Sequence, residues 1–284
     1  MNNSSSLTKE ILKIKGEISY PAADFLATEE PLEIRISFGN AAQRTQRNVS
    51  VTMRTPGNDF ELAAGFLFTE GIIKNVAEIQ SIEHCNNENV IKVELKEDVK
   101  VELNKLERNF YTTSSCGVCG KSSIEAIKTT CRLDVRETEE LTISTTIIYQ
   151  LPDILRSSQD IFDFTGGLHG CGLFNESGEL VLSREDVGRH NALDKLIGAA
   201  LNKSMIPLHN YLLLLSGRAS FELIQKAWMA GIKFIAAIGA PSSLAMQMAE
   251  ECDITLIGFL KNKSFNIYSG AHRIINIYEN SHQG

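Results

Sequence analysis

Tyr211-Leu212-Leu213-Leu214-Leu215-Ser216-Gly217-Arg218-Ala219-Ser220 decides the fold. Its apolar run, closed by a glycine turn, reads as a short strand buried on both faces. The pattern then repeats. A helix is expected over Phe221 to Ala230, a second apolar run at Phe234-Ile235-Ala236-Ala237-Ile238, and a second turn at Gly239-Ala240-Pro241-Ser242-Ser243. A helix over Ser243 to Glu251 leads to a third run, Ile254-Thr255-Leu256-Ile257-Gly258-Phe259. This βαβ rhythm predicts a layered sheet with helices on both sides, with ligands at strand ends where glycine-rich turns lead into helices. The run from Thr165 to Cys171 is a third turn of that kind.

Toward the N-terminus the texture changes. Leu32 to Phe38, Asn48 to Arg54 and Val90 to Leu95 alternate apolar and polar residues as half-buried strands do. Between them Phe60, Leu62, Ala63, Phe66 and Leu67 make one amphipathic helix, with Asp59 as the expected cap and Gly71 as its end. The expected organisation is a small strand-rich α+β domain over 1–105, a mobile linking loop over 106–123, and an αβα domain over 124–284. The fold class is α/β, α+β overall.

With 284 residues and 43% hydrophobic composition the chain can bury a real core without staples. Its net charge of -7 argues against nucleic acid as a partner, although a local basic pocket for a phosphorylated small molecule is compatible with it. The polar Met1 to Thr8 segment has no apolar signal core, and no apolar run is long enough to span a membrane. A cytoplasmic protein is expected, with Cys85, Cys116, Cys119, Cys131, Cys171 and Cys252 as thiols.

Only Cys116 and Cys119 are closely spaced, in Thr113-Ser114-Ser115-Cys116-Gly117-Val118-Cys119-Gly120-Lys121. A structural zinc site needs four ligands, and completing one requires recruiting His84, Cys85 or Cys171 from afar. A dithiol redox motif normally follows the first strand of its fold, and a zinc deaminase needs an upstream His-x-Glu that is missing here. A thiolate that accepts sulfur as a persulfide and passes it on is the fourth reading, with the second thiol to resolve or relay.

Three other constellations stand out. Two arginines, a histidine and two carboxylates crowd between Arg184 and His190, at the start of a helix that Asp186 or Asn191 is expected to cap. Phosphate or heterocycle binding would use them. Ser216-Gly217-Arg218 offers amides and a guanidinium to a phosphate, and Phe265-Asn266-Ile267-Tyr268-Ser269-Gly270 offers an aromatic ring and an amide to a base. The last also reads simply as an edge strand ending at a glycine turn.

Four segments in order resemble one family: Thr112 to Lys121, Thr165-Gly166-Gly167-Leu168-His169, Arg184 to Lys195, and Ser216 to Glu222. The family is the formate dehydrogenase accessory sulfurtransferases, also called FdhD, and the likeness runs from about Tyr20 to Asn276. It implies a sulfur carrier that takes sulfur from a cysteine desulfurase and passes it to the molybdenum cofactor for apo-formate dehydrogenase. Cys116 would bear the persulfide with Cys119 assisting. The bis-molybdopterin guanine dinucleotide form, with guanine nucleotide as its mimic, would bind near Phe265 to Gly270 and against Arg189, His190 and Arg218. The resemblance also implies a cytidine deaminase-like fold for the second domain. Cys171 stands where the family more often has alanine, and is read as a small buried replacement. No structural metal is expected, a homodimer is expected on general grounds, and the rival function is a cofactor-binding chaperone that handles no sulfur.

Overall fold

The computed structural model describes residues 5–85, 88–101 and 140–275. The expected loop 106–123, with Cys116 and Cys119, lies outside these, as do both of its boundaries. The chain opens with a hairpin of β1 (Ser6–Lys15) and β2 (Ile18–Ala27), turning at Gly16. Its root is fixed where the Thr28 amide donates to the Ser5 carbonyl and Ser5 Oγ donates to the Pro56 carbonyl, at 3.0 and 2.8 Å. The rest of the hairpin is almost wholly exposed.

A four-stranded sheet follows, in the order β4-β3-β6-β5, built from β3 (Glu30–Phe38), β4 (Thr45–Arg54), β5 (Ile79–His84) and β6 (Val90–Leu95). Leu32, Ile34, Ile36, Ile91 and Val93 point inward at period two, as the sequence alternation requires. Helix α1 (Asp59–Thr69) covers that face with Leu62 and Leu67. Its start differs from expectation. Asn58, with φ 56°, is the cap residue, and the Asp59 carboxylate instead accepts two hydrogen bonds from the buried Arg54 guanidinium, each 3.0 Å. A buried guanidinium needs a carboxylate more than an exposed helix end needs a cap.

The second part contains β7 (Ile143–Ser144), α2 (Thr145–Ser157), α3 (Asp160–Thr165), β8 (His169–Phe174), β9 (Leu180–Asp186) and α4 (Arg189–Asn202). Then come β10 (Leu212–Leu215), α5 (Phe221–Met229), β11 (Phe234–Ala237), α6 (Ser243–Glu251), β12 (Thr255–Lys261), β13 (Ser264–Ser269) and β14 (Ile274–Ile275). Six of these strands form one sheet in the order β13-β12-β11-β10-β8-β9, with β10, β11 and β12 parallel and the others antiparallel to their neighbours. The expected βαβ rhythm is thus present, with antiparallel strands added at both sides.

The two faces of this sheet feed different layers. Leu212, Leu214, Phe234 and Ala236 pack with Ile148, Leu151 and Leu155 of α2, whereas Leu213, Leu215, Ile235 and Ala237 pack with Leu193, Leu223 and Met248 of α4, α5 and α6. The latter cluster continues through α1 into the small sheet. Continuity depends on two glycines. A Cβ on Gly65 would run into the Asp194 carbonyl, and one on Gly198 into the Glu61 carbonyl, so α1 and α4 touch backbone to backbone. Among the described residues no helix is long and apolar enough to cross a membrane.

Candidate functional site

One edge of the large sheet collects the carboxyl ends of β9, β10 and β11 and the amino end of β8, because β8 runs against both of its neighbours. Helices α4, α5 and α6 start at the same edge, so three positive helix ends converge there. The post-strand turns are stitched together. Gly239 N–H donates to the Gly217 carbonyl, Ala219 N–H to the Ala240 carbonyl and Ser242 N–H to the Ala219 carbonyl, at 3.0, 3.2 and 3.0 Å. A Cβ on Gly239 would lie 2.9 Å from the Arg218 amide nitrogen, so the turns approach too closely for any other residue.

The crowded run from Arg184 to His190 divides into groups that tie elements together and groups that stay at the strand-end turns. Arg184 forks onto Glu61 of α1, at 2.5 and 2.6 Å. Glu185 caps α3 by accepting from the Ile161 and Phe162 amides at 3.1 and 3.2 Å; burial raises its pKa, with those bonds opposing. Asp186 is fully buried and pairs with Lys195 Nζ at 2.7 Å, while accepting from the amides of Gly188 and Thr55. Lys195 also donates to the Thr55 carbonyl at 2.8 Å. The expected cap of α4 is therefore replaced: Gly188 is the cap residue, and Asp186 and Asn191 bond to each other at 3.1 Å. These groups fasten the edge to α1, to α3 and to the Thr55 segment after β4, and are already engaged within the protein.

What remains is Arg189, His190 and Arg218, joined by a residue not singled out from the sequence, His169. Its ring sits over Gly217, where a Cβ would be 3.2 Å from Nδ1. The pKa of His169 is lowered, first by burial and then by the charges of Arg189, His190 and Arg218, with Asp186 opposing. The imidazole is therefore neutral at pH 7. His190 Nε2 lies 3.1 Å from Glu222 Oε2 and 3.3 Å from Ser220 Oγ. Among the described residues neither Arg189 nor Arg218 has a carboxylate partner. The signal for His169 was its place in the glycine-rich Thr165 to Cys171 turn, one of three such turns at strand ends.

The Phe265 to Gly270 segment is β13 with its glycine turn, and its residues part company. Phe265 packs on Tyr149 of α2, ring centroids 5.6 Å apart, on the face away from α4, α5 and α6. Ser269 Oγ donates to the Ile254 carbonyl at 2.6 Å, and the Gly270 carbonyl accepts from Thr255 Oγ1 at 2.8 Å. Tyr268 alone turns to the site. Leu256 pairs with Ser269 and Ile257 with Ile267, so Tyr268 is the extra residue of a bulge, and bulges re-aim side chains. Its ring would lie 3.1 Å from a Cβ on Gly258, which would also meet Pro241 and the Gly239 carbonyl. Asn266 and Ile267 are exposed.

Cys171 is buried, its thiol donating to the Ala192 carbonyl at 3.1 Å, and burial pushes its pKa far up. It is a packing residue and no nucleophile. Among the described residues no three His, Cys, Asp or Glu side chains are grouped to hold a metal.

A layered α/β protein with free guanidiniums over helix starts and glycine turns has the build of a protein that holds an anionic ligand at its strand ends. The sequence matches the FdhD/NarQ family profile over residues 27–275. Its relatives include sulfur carrier proteins FdhD from Streptomyces coelicolor, 47% identical and covering 94% of each chain, and Mycolicibacterium paratuberculosis, 50% identical over 88% of this chain and 91% of the relative. A third, from Saccharolobus solfataricus, is 40% identical over 93% and 96%. A crystal structure described as a formate dehydrogenase accessory protein from Desulfotalea psychrophila superposes with a TM-score of 0.72 at 25% identity, over 95% of this chain and 99% of that one. The chain belongs to the FdhD/NarQ family.

Proposed function

We propose that this chain is a cytoplasmic sulfur carrier that loads sulfur from a cysteine desulfurase onto Cys116 and delivers it to the molybdenum cofactor destined for formate dehydrogenase. What supports this is one coincidence: a chain of the FdhD/NarQ family brings Arg189, His190 and Arg218 together at the strand ends. The cofactor is cargo. Its guanine dinucleotide form fits the groups present: guanidiniums without a carboxylate partner for the diphosphate, glycine turns that admit close approach, and the Tyr268 ring for the base, with Asn266 on the same strand exposed beside it. Phe265, Ile267, Ser269 and Gly270 shape the strand that presents them. On this reading the second part of the chain has a cytidine deaminase-like fold and the protein works as a homodimer.

The transfer balances as two displacements. The Cys116 thiolate attacks the outer sulfur of the desulfurase persulfide; the donor's S–S bond breaks, and the donor leaves as a thiolate. The Cys119 thiolate then attacks Cys116 Sγ, releasing the terminal sulfur as hydrosulfide. The two electrons come from the thiol pair, which ends as a disulfide for a cellular thiol reductant to reopen. The cofactor, as substrate, would accept the released hydrosulfide at its metal in exchange for an oxygen ligand that leaves as water or hydroxide, sulfur staying at the sulfide level.

The deciding variant is Cys116→Ala. It is expected to bind guanosine diphosphate as the parent does and to leave the dehydrogenase inactive. Full activation by this variant would replace sulfur transfer with the chaperone reading.

A further inference from the structure

We infer that His169 is the proton-taking ligand of this site: when a diphosphate settles between Arg189 and Arg218, the imidazole gains a proton from solvent, keeps it, and as imidazolium donates a hydrogen bond to a phosphate oxygen. This rests on the reading of the strand-end cluster as a nucleotide site. Three observations carry it. First, the backbone that carries the ring is fixed: His169 heads β8, stands opposite Asp186 in the register with β9, and is followed by Gly170, whose amide donates to Ser216 Oγ at 2.8 Å. Second, the glycine at 217 keeps the space beneath Nδ1 clear, so the ring faces the turn that carries Arg218. Third, no described side chain takes its ring nitrogens, while the neighbouring His190 is already bonded to Glu222 and Ser220.

The charges facing His169 set the direction of the change. Arg189 and His190 on α4 and Arg218 after β10 repel a proton; Asp186 on β9 attracts one, but Lys195 and three hydrogen bonds already absorb much of its charge. In the free protein the balance, with burial, keeps the ring neutral. A doubly negative diphosphate placed among the arginines reverses the sign of the local charge and favours the imidazolium. The one bond formed is an N–H bond on the ring, its proton drawn from solvent on binding. Tight holding of the cofactor is thereby tied to proton uptake, and release to its loss.

The probe is guanosine diphosphate glucose, whose diester phosphates do not titrate near neutrality. Calorimetry in two buffers of different ionisation enthalpy reads the protons taken up. The parent protein is expected to take up a substantial fraction of one proton at neutral pH and to bind up to about tenfold more weakly per pH unit between the free-state and bound-state pKa values of the ring, the slope vanishing above the latter. His169→Gln keeps a hydrogen-bonding side chain and is expected to bind with neither uptake nor pH slope. Uptake retained in His169→Gln, or absent from the parent, overturns the role of His169. Absence of any binding by the folded parent overturns the site itself.

Discussion

Gly217 shows how narrow the tolerances at this edge are. In Gly217→Ala the added methyl would stand 3.2 Å from His169 Nδ1, so the ring must yield by a few tenths of an ångström. The backbone conformation at 217 does not itself demand glycine, since no positive φ occurs there. We expect a change of no more than about 1 kcal/mol in unfolding free energy but a clear loss of nucleotide affinity, read by denaturant titration and calorimetry on the same sample. At this scale the sequence was only partly legible. Arg189, His190 and Arg218 were visible as polar residues beside glycine turns. That Arg184, Glu185 and Asp186 are spent on α1, α3, Lys195 and Thr55 was not, because their partners lie up to 131 residues away or on elements that alternation does not reveal.

At the scale of elements, β13 separates two aromatic residues that the sequence places side by side in one motif. Strict alternation already puts residues 265 and 268 on opposite faces, and the bulge at Tyr268 fixes which one meets the turns. Tyr268→Ala should lose about 1–3 kcal/mol of guanine nucleotide binding with little change in stability. Phe265→Ala should do the reverse, since it removes a ring packed against Tyr149. Equal losses of binding in both variants would mean that the strand acts as a whole. The strands β10 and β11 and the helix Ser243–Glu251 were legible to within a residue, because continuous apolar runs closed by glycine turns have few other readings. The exposed hairpin β1–β2 was not delimited, since without a buried face it has no clean alternation.

For the molecule as a whole, the backbone contact of α1 with α4 is what carries one core through both sheets. Gly198→Ala should therefore cost on the order of 1–3 kcal/mol of unfolding free energy, well beyond the ordinary effect of alanine in a helix, which favours it over glycine. A stabilised Gly198→Ala protein would show that the helices can part without penalty. Two expected parts thus share an interior that composition and periodicity did not reveal; helix-on-helix glycine contacts leave no hydrophobic signal. The same seam holds the strand-end edge in place through Asp186, Lys195 and Thr55, which joins stability to the site.

The proposed function turns on sulfur travelling through Cys116. The direct measurement is intact-protein and peptide mass spectrometry after incubation with a cysteine desulfurase and cysteine. One added sulfur is expected on the peptide containing Cys116, removed by a reductant and absent from Cys116→Ala. A folded protein that acquires no sulfur on Cys116 under these conditions would contradict it.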